Sequence, residues 1–180
     1  MELLKTPLPG LLLVRNFTAR DPRGLFVKTF RADVFVSAGL NFQIRESFYS
    51  ISQAGVIRGM HFQKPPYGQA KLVCCPAGEV EDVVLDIRKG SPTYGRYWSV
   101  RLTAENALGL FIPEGFAHGF QAIKDQSLMV YYVSCENQPE VDMGLRWDSF
   151  GFTWPLAPTA ISERDRQWPL FNRSFSSPFD

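Results

Sequence analysis

From Leu11 to Cys135 the chain is a succession of short apolar runs rich in Val, Phe, Tyr and Ile, each cut off by Gly, Pro, Asn or Asp. That texture constrains the fold more than any other feature: it predicts an all-β sandwich or barrel rather than a helical or α/β domain. Strands are predicted at Leu11–Val14, Leu25–Phe30, Gln43–Ser52, Val56–Phe62, Ala70–Cys75, Glu79–Ile87, Tyr97–Leu102, Leu108–Ile112, Phe116–Ile123 and Leu128–Cys135. Ala32–Ala38 is the one short-helix candidate, and "CPAG", "RKGSPTYG" and "IPEG" supply turns.

At 180 residues the chain suits one domain, 1–180, with neither repeat nor linker. The tail from Trp154, "WPLAPTAISERDRQWPLF", is too apolar for a free end and is expected to pack back on the body. A formal charge of +1 offers no general attraction to nucleic acid or to an anionic membrane, so any anionic ligand must be held by individually placed cations. Cys74, Cys75 and Cys135 form an odd set read as reduced thiols. The absence of a spanning apolar run or a signal-like start points to the cytoplasm.

Two histidines carry the chemical interest. His61 lies inside "VIRGMHFQ", where it is either a satisfied core group or a working base. In a flat strand Gly59, His61 and Gln63 share one face and Arg58, Met60 and Phe62 the other; a bulge at Gly59 would bring Arg58 round. His118 sits in "IPEGFAHGF", either capping a strand or lining a barrel mouth with His61. A metal centre would need three or four converging ligands, and there is no His-x-His, so no metal is expected.

Arg23, Arg58 and Lys71 are embedded in strand-like text, "PRGLF", "VIRGM" and "QAKLV", where a cation needs a partner. An anionic ligand inside the barrel would serve, unless each cation reaches solvent from a strand end. Alternation in "LMVYYVS" turns one of Tyr131 and Tyr132 inward. Asp165, in "ISERD", becomes interesting only if the tail folds over the barrel and its carboxylate orients His61.

The segments "VIRGMHFQKPP", "QAKLVCCPAGEVEDVVLDIRKGSPTYG", "IPEGFAHGF", "GLRWDSFGFTWP" and "ISERD" closely resemble the dTDP-4-dehydrorhamnose 3,5-epimerase family, in order and from about Arg15 to Phe171. The resemblance implies a cupin-like jelly roll with a few short helices. It also implies a homodimer that acts, without metal or organic cofactor, on a nucleotide-linked 4-keto-6-deoxy sugar. By motif it assigns His61 as general base, Asp165 as its partner, Lys71 and Arg58 as groups around the keto sugar, His118 as a pocket histidine and Tyr131 as the acid. Near the nucleobase the family's usual aromatic and glutamate are replaced by Ala19 and Lys28, with Arg23 between them; "ESFYS" replaces "Q-x-N-x-S" through Glu46 and Phe48. These departures leave open a CDP- or GDP-linked substrate and inversion at only C3 or only C5; the competing readings are a cupin that binds a sugar nucleotide without turning it over and a metal-dependent cupin enzyme.

Overall fold

The computed structural model describes residues 1–172 and 174–179. Thirteen strands and two short helices follow in the order β1 (Glu2–Lys5), β2 (Leu12–Arg15), β3 (Phe17–Asp21), β4 (Gly24–Lys28), α1 (Ala32–Ser37), β5 (Glu46–Ser52), β6 (Ile57–Gln63), β7 (Lys71–Ala77), β8 (Glu79–Asp86), β9 (Tyr97–Thr103), β10 (Leu108–Ile112), β11 (Phe116–Ala122), β12 (Ser127–Val133), β13 (Asp142–Gly144) and α2 (Glu163–Gln167). A six-stranded sheet, β1-β2-β10-β7-β12-β5, faces a five-stranded sheet, β13-β6-β11-β8-β9, and β3-β4 form a separate hairpin. The pairings are antiparallel and link strands distant in sequence, as in a jelly roll.

Alternation explains what lies between the sheets. Val73 and Cys75 of β7, Val80 and Val84 of β8, Phe116 and Phe120 of β11, and Met129, Tyr131 and Val133 of β12 form one buried cluster. The intervening residues serve the outer faces. On the five-stranded sheet, Val83, Leu85, Ile57, Met60 and Phe62 are covered by Leu145, Phe150, Trp154 and Phe179 of the C-terminal segment. Both faces of β8 are therefore covered from Asp82 onward, and its apolar Val83-Val84-Leu85 run serves the two clusters in alternation. On the six-stranded sheet, α1 sets Phe35 against Phe42 and Phe111, with ring centroids 5.6 and 5.3 Å away.

The flat-strand reading of β6 gives way to the bulge. His61 pairs with His118 and Arg58 with Phe120, so three steps on β6 oppose two on β11. The extra residue puts Arg58 and His61 on the inner face and sends Ile57, Met60 and Phe62 outward. Gly59 makes this possible: its φ is +147°, and a Cβ there would stand 2.6 Å from the Cα of Gly119. Sequence periodicity also misses β1, β3, β13 and α2. Gly59→Ala should cost about 2 kcal/mol of stability, an overpacking penalty against immovable backbone, seen as a lower urea midpoint; an unshifted midpoint would contradict the close approach.

Candidate active site

The C-terminal segment crosses β6 and carries the one-turn helix α2. Ser162 caps it, its hydroxyl accepting the Asp165 N–H at 3.1 Å. This turn brings a carboxylate to the strand. Asp165 Oδ1 accepts from His61 Nε2 at 2.7 Å, and Oδ2 accepts from the Gly59 N–H at 3.2 Å. Burial pushes the Asp165 carboxyl up, but the His61 hydrogen bond and charge, the Gly59 N–H and the nearby Arg164 cation outweigh it and hold it below its ordinary value. An ionised carboxylate can only accept, so the imidazole proton sits on Nε2, and the lone pair of the neutral ring is on Nδ1.

A second imidazole–carboxylate pair lies beside the first. His118, directly opposite His61 across the strand pair, donates Nε2–H to both oxygens of Asp82, at 3.0 and 2.9 Å. Asp82 is fully buried at an inward position between Val80 and Val84, and burial drives its carboxyl upward against the pull of His118. Lys71, inward on β7, has its Nζ 3.5 Å from the His61 carbonyl oxygen. Desolvation lowers its ammonium to about 8, while Asp142 and Asp82 resist the change.

Tyr131 is the inward phenol. Tyr132 points out, its hydroxyl 3.1 Å from Thr29 Oγ1. The Tyr131 ring lies 6.2 Å from His118, edge to face, and is stacked on Phe48 of β5 at 4.7 Å and 15°. Burial, then the charge of Asp82, push its hydroxyl far above the ordinary phenol range. Also inward on β5 are Glu46, which accepts the Asn137 N–H at 2.9 Å, and Ser50, whose hydroxyl is buried without a hydrogen-bond partner among the described residues. Arg58 crosses from the other sheet, Nε donating to Ser52 Oγ at 3.1 Å.

An open cavity of about 560 Å³ is lined by Arg58, His61, Ser162, Arg164 and Asp165. Lys71, His118 and Tyr131 are not in its lining; Lys71 and His118 adjoin His61, and Tyr131 adjoins His118. Among the described residues no three His, Cys, Asp or Glu side chains converge as a metal site, each histidine being engaged by its own carboxylate.

Two expected ligand residues are elsewhere. Arg23 is not in a barrel strand: Pro22 and Arg23 form the turn of the β3–β4 hairpin, and Arg23 is exposed and paired with Asp21, Nη2 to Oδ2 2.6 Å. Lys28 closes the same hairpin, 5.8 Å from the Phe17 ring centroid. Both line a separate cleft of about 630 Å³ with Ala19 and Phe26. The text "PRGLF" reads as strand, but the chain must reverse there, and a hairpin turn presents its cation to solvent. Conversely, sequence reading passed over Asp82 and Arg164. An acid at the inward register of an apolar strand was the available signal for Asp82. Arg164, bonded to Asp142 at 2.6 Å and 3.5 Å from His61 Nε2, had none.

The family model for dTDP-4-dehydrorhamnose 3,5-epimerase matches residues 5–173. The chain belongs to that family. A dTDP-4-dehydrorhamnose 3,5-epimerase of Methanothermobacter thermautotrophicus is 42% identical over 172 residues, covering 93% of this chain and 92% of its own. Among solved structures, dTDP-6-deoxy-D-glucose-3,5-epimerase of Legionella pneumophila in complex with dTDP-4-keto-L-rhamnose superposes with a TM-score of 0.93 at 32% identity, covering 99% and 96% of the two chains. A 3′-monoepimerase of Streptomyces bikiniensis in complex with dTDP-quinovose gives 0.87 at 30%, covering 92% and 85%. This epimerase is thus an isomerase-class enzyme of deoxysugar biosynthesis with the cupin-like jelly roll of its family. No helix among the described residues is long and apolar enough to cross a membrane.

Proposed function

We propose that this epimerase inverts C3, C5 or both of a dTDP-linked 4-keto-6-deoxyhexose, with His61 as base, Lys71 at the keto oxygen and Tyr131 as acid. One observation carries the reading: the His61–Asp165 pair and the Tyr131 phenol stand on the inner faces of opposite sheets, with the Lys71 ammonium beside His61. The dTDP-sugar ligands of the Legionella and Streptomyces neighbours support a dTDP substrate.

The C4 ketone acidifies the hydrogens on both neighbouring carbons. His61 takes one through Nδ1; the C–H pair moves into the ring and the carbonyl becomes an enolate oxygen beside the Lys71 ammonium. Collapse of the enolate draws the Tyr131 O–H proton to the other face of the same carbon. The phenolate regains a proton from solvent and the imidazolium releases one, so the sugar changes only in configuration. Asp165 stays ionised and holds the ring. Burial of Tyr131 keeps its hydroxyl protonated until the carbanion forms.

The reading is tested by deuterium wash-in from solvent with dTDP-4-keto-6-deoxyglucose. His61→Ala should lower both wash-in and inversion by at least about a hundredfold, whereas Tyr131→Phe should slow inversion and leave wash-in measurable. No wash-in by the native protein, or a larger effect from Tyr132→Phe, would sink the assignment. The pH profile tests Lys71 separately. Its ammonium is present below about 8 and lost above, so kcat/KM should fall as pH rises through that value. Lys71→Arg keeps its charge to higher pH, and its residual activity should lack that limb.

We also propose a homodimer. The hairpin leaves Phe17, Leu25 and Phe26 exposed, and edge strand β5 exposes Tyr49 and Ile51, an apolar extent that a second copy would cover. In such a pair the hairpin cations Arg23 and Lys28 serve the neighbour's cavity and the anionic part of its ligand. Light scattering should give twice the chain mass, and mixing inactive Arg23→Ala with inactive His61→Ala chains should restore partial activity; a monomer, or no complementation, refutes this.

A further inference from the structure

We infer that Phe48 is the positioning residue for the acid, and that its ring decides how the Tyr131 proton is divided between the two carbons beside the ketone. The inference rests on the proposed function and adds to it a determinant of regiochemistry.

Tyr131 is held from two directions. On one side is His118, 4% exposed and bonded to both oxygens of the buried Asp82, a wall pinned by its hydrogen bonds. On the other is Phe48, 43% exposed, lying nearly parallel to the phenol with centroids 4.7 Å apart. The two residues are direct cross-strand partners, so the stack is built into the register of β5 and β12. Since β5 is an edge strand paired only with β12, the Phe48 wall is the compliant one.

The side chains flanking this stack offer the ring no second flat face. Glu46 is turned to the Asn137 N–H, and Ser50, on the same face of β5, bears on the phenol only at its hydroxyl, where with the Arg58 charge it opposes the upward push of burial. Tilt of the phenol plane is set by the near-parallel Phe48 face, Ser50 acting only at the hydroxyl tip. C3 and C5 lie on opposite sides of the C4 carbonyl, and a phenol of fixed tilt reaches them unequally. Proton delivery is sensitive to displacements well under the separation of these carbons. Phe48 acts through Tyr131 and does not touch the proton.

The test measures, on one substrate, inversion relative to wash-in at C3 and at C5. Both positions belong to the same bound molecule, so weaker binding or a loosened fold cancels from their ratio. Phe48→Ala should change the C3-to-C5 inversion ratio at least about threefold, with the change in kcat terms and not in KM. Phe48→Tyr, which restores a stacked ring, should return the ratio to the native value, and Phe48→Leu, which fills space without a flat face, should not. Wash-in with the native ratio in the Ala and Leu variants overturns this assignment alone. Absence of wash-in in the native protein overturns the proposed function and this inference together.

Discussion

The carboxylate of Asp165 joins His61, the bulge of β6 and the tail helix at one point. One oxygen orients His61 and the other accepts the Gly59 N–H. A tail helix of five residues is thereby tied to the place where β6 gains its extra residue. The bulge needs glycine, because the opposing strand passes within 2.6 Å of where a Cβ would be. Without the bulge, Arg58 and His61 would fall on opposite faces. Without the tail, His61 would lose its orienting carboxylate and the outer cluster around Met60 its cover.

The interior that results is unusually polar. Lys71, Asp82, His118 and Tyr131 occupy inward positions that strand alternation would give to Val or Leu, and each bears the cost of being withdrawn from water. The charges are arranged as neighbours: Asp82 answers His118, and its field is felt at both Lys71 and Tyr131. An array of this kind is poor as a core and suited to a ligand that develops negative charge between the walls. The Lys71 ammonium, softened to about 8, is a cation retained only weakly by the protein itself.

Much of the site could be read from the order of residues. The histidines stood out because glycine and aromatic neighbours placed them in strands, and their register, His61 against His118, follows from two strands that pair. Alternation alone leaves Tyr131 and Tyr132 as one inward and one outward, since it has no absolute phase until the strand is docked; it is the family motif that selects Tyr131. Arg23 reads as strand-embedded, yet it occupies a hairpin turn, because a turn flanked by Gly24 and Leu25 has the composition of a strand end. Asp82 was overlooked although "VEDVVLD" put an acid at every-second-residue spacing with Val80 and Val84.

By itself the sequence determined the all-β class, the place of most strands, the one early helix and the family, because these depend on local periodicity, turn residues and ordered motifs. Tertiary structure decided which side chains meet. The one-residue slip at Gly59, the return of α2 to β6 across about a hundred residues, and the stacking of Phe48 on Tyr131 all depend on pairings between distant segments. Alternation along a strand states which residues share a face, but which face turns inward, and what it finds there, is settled only when the sheets close on each other.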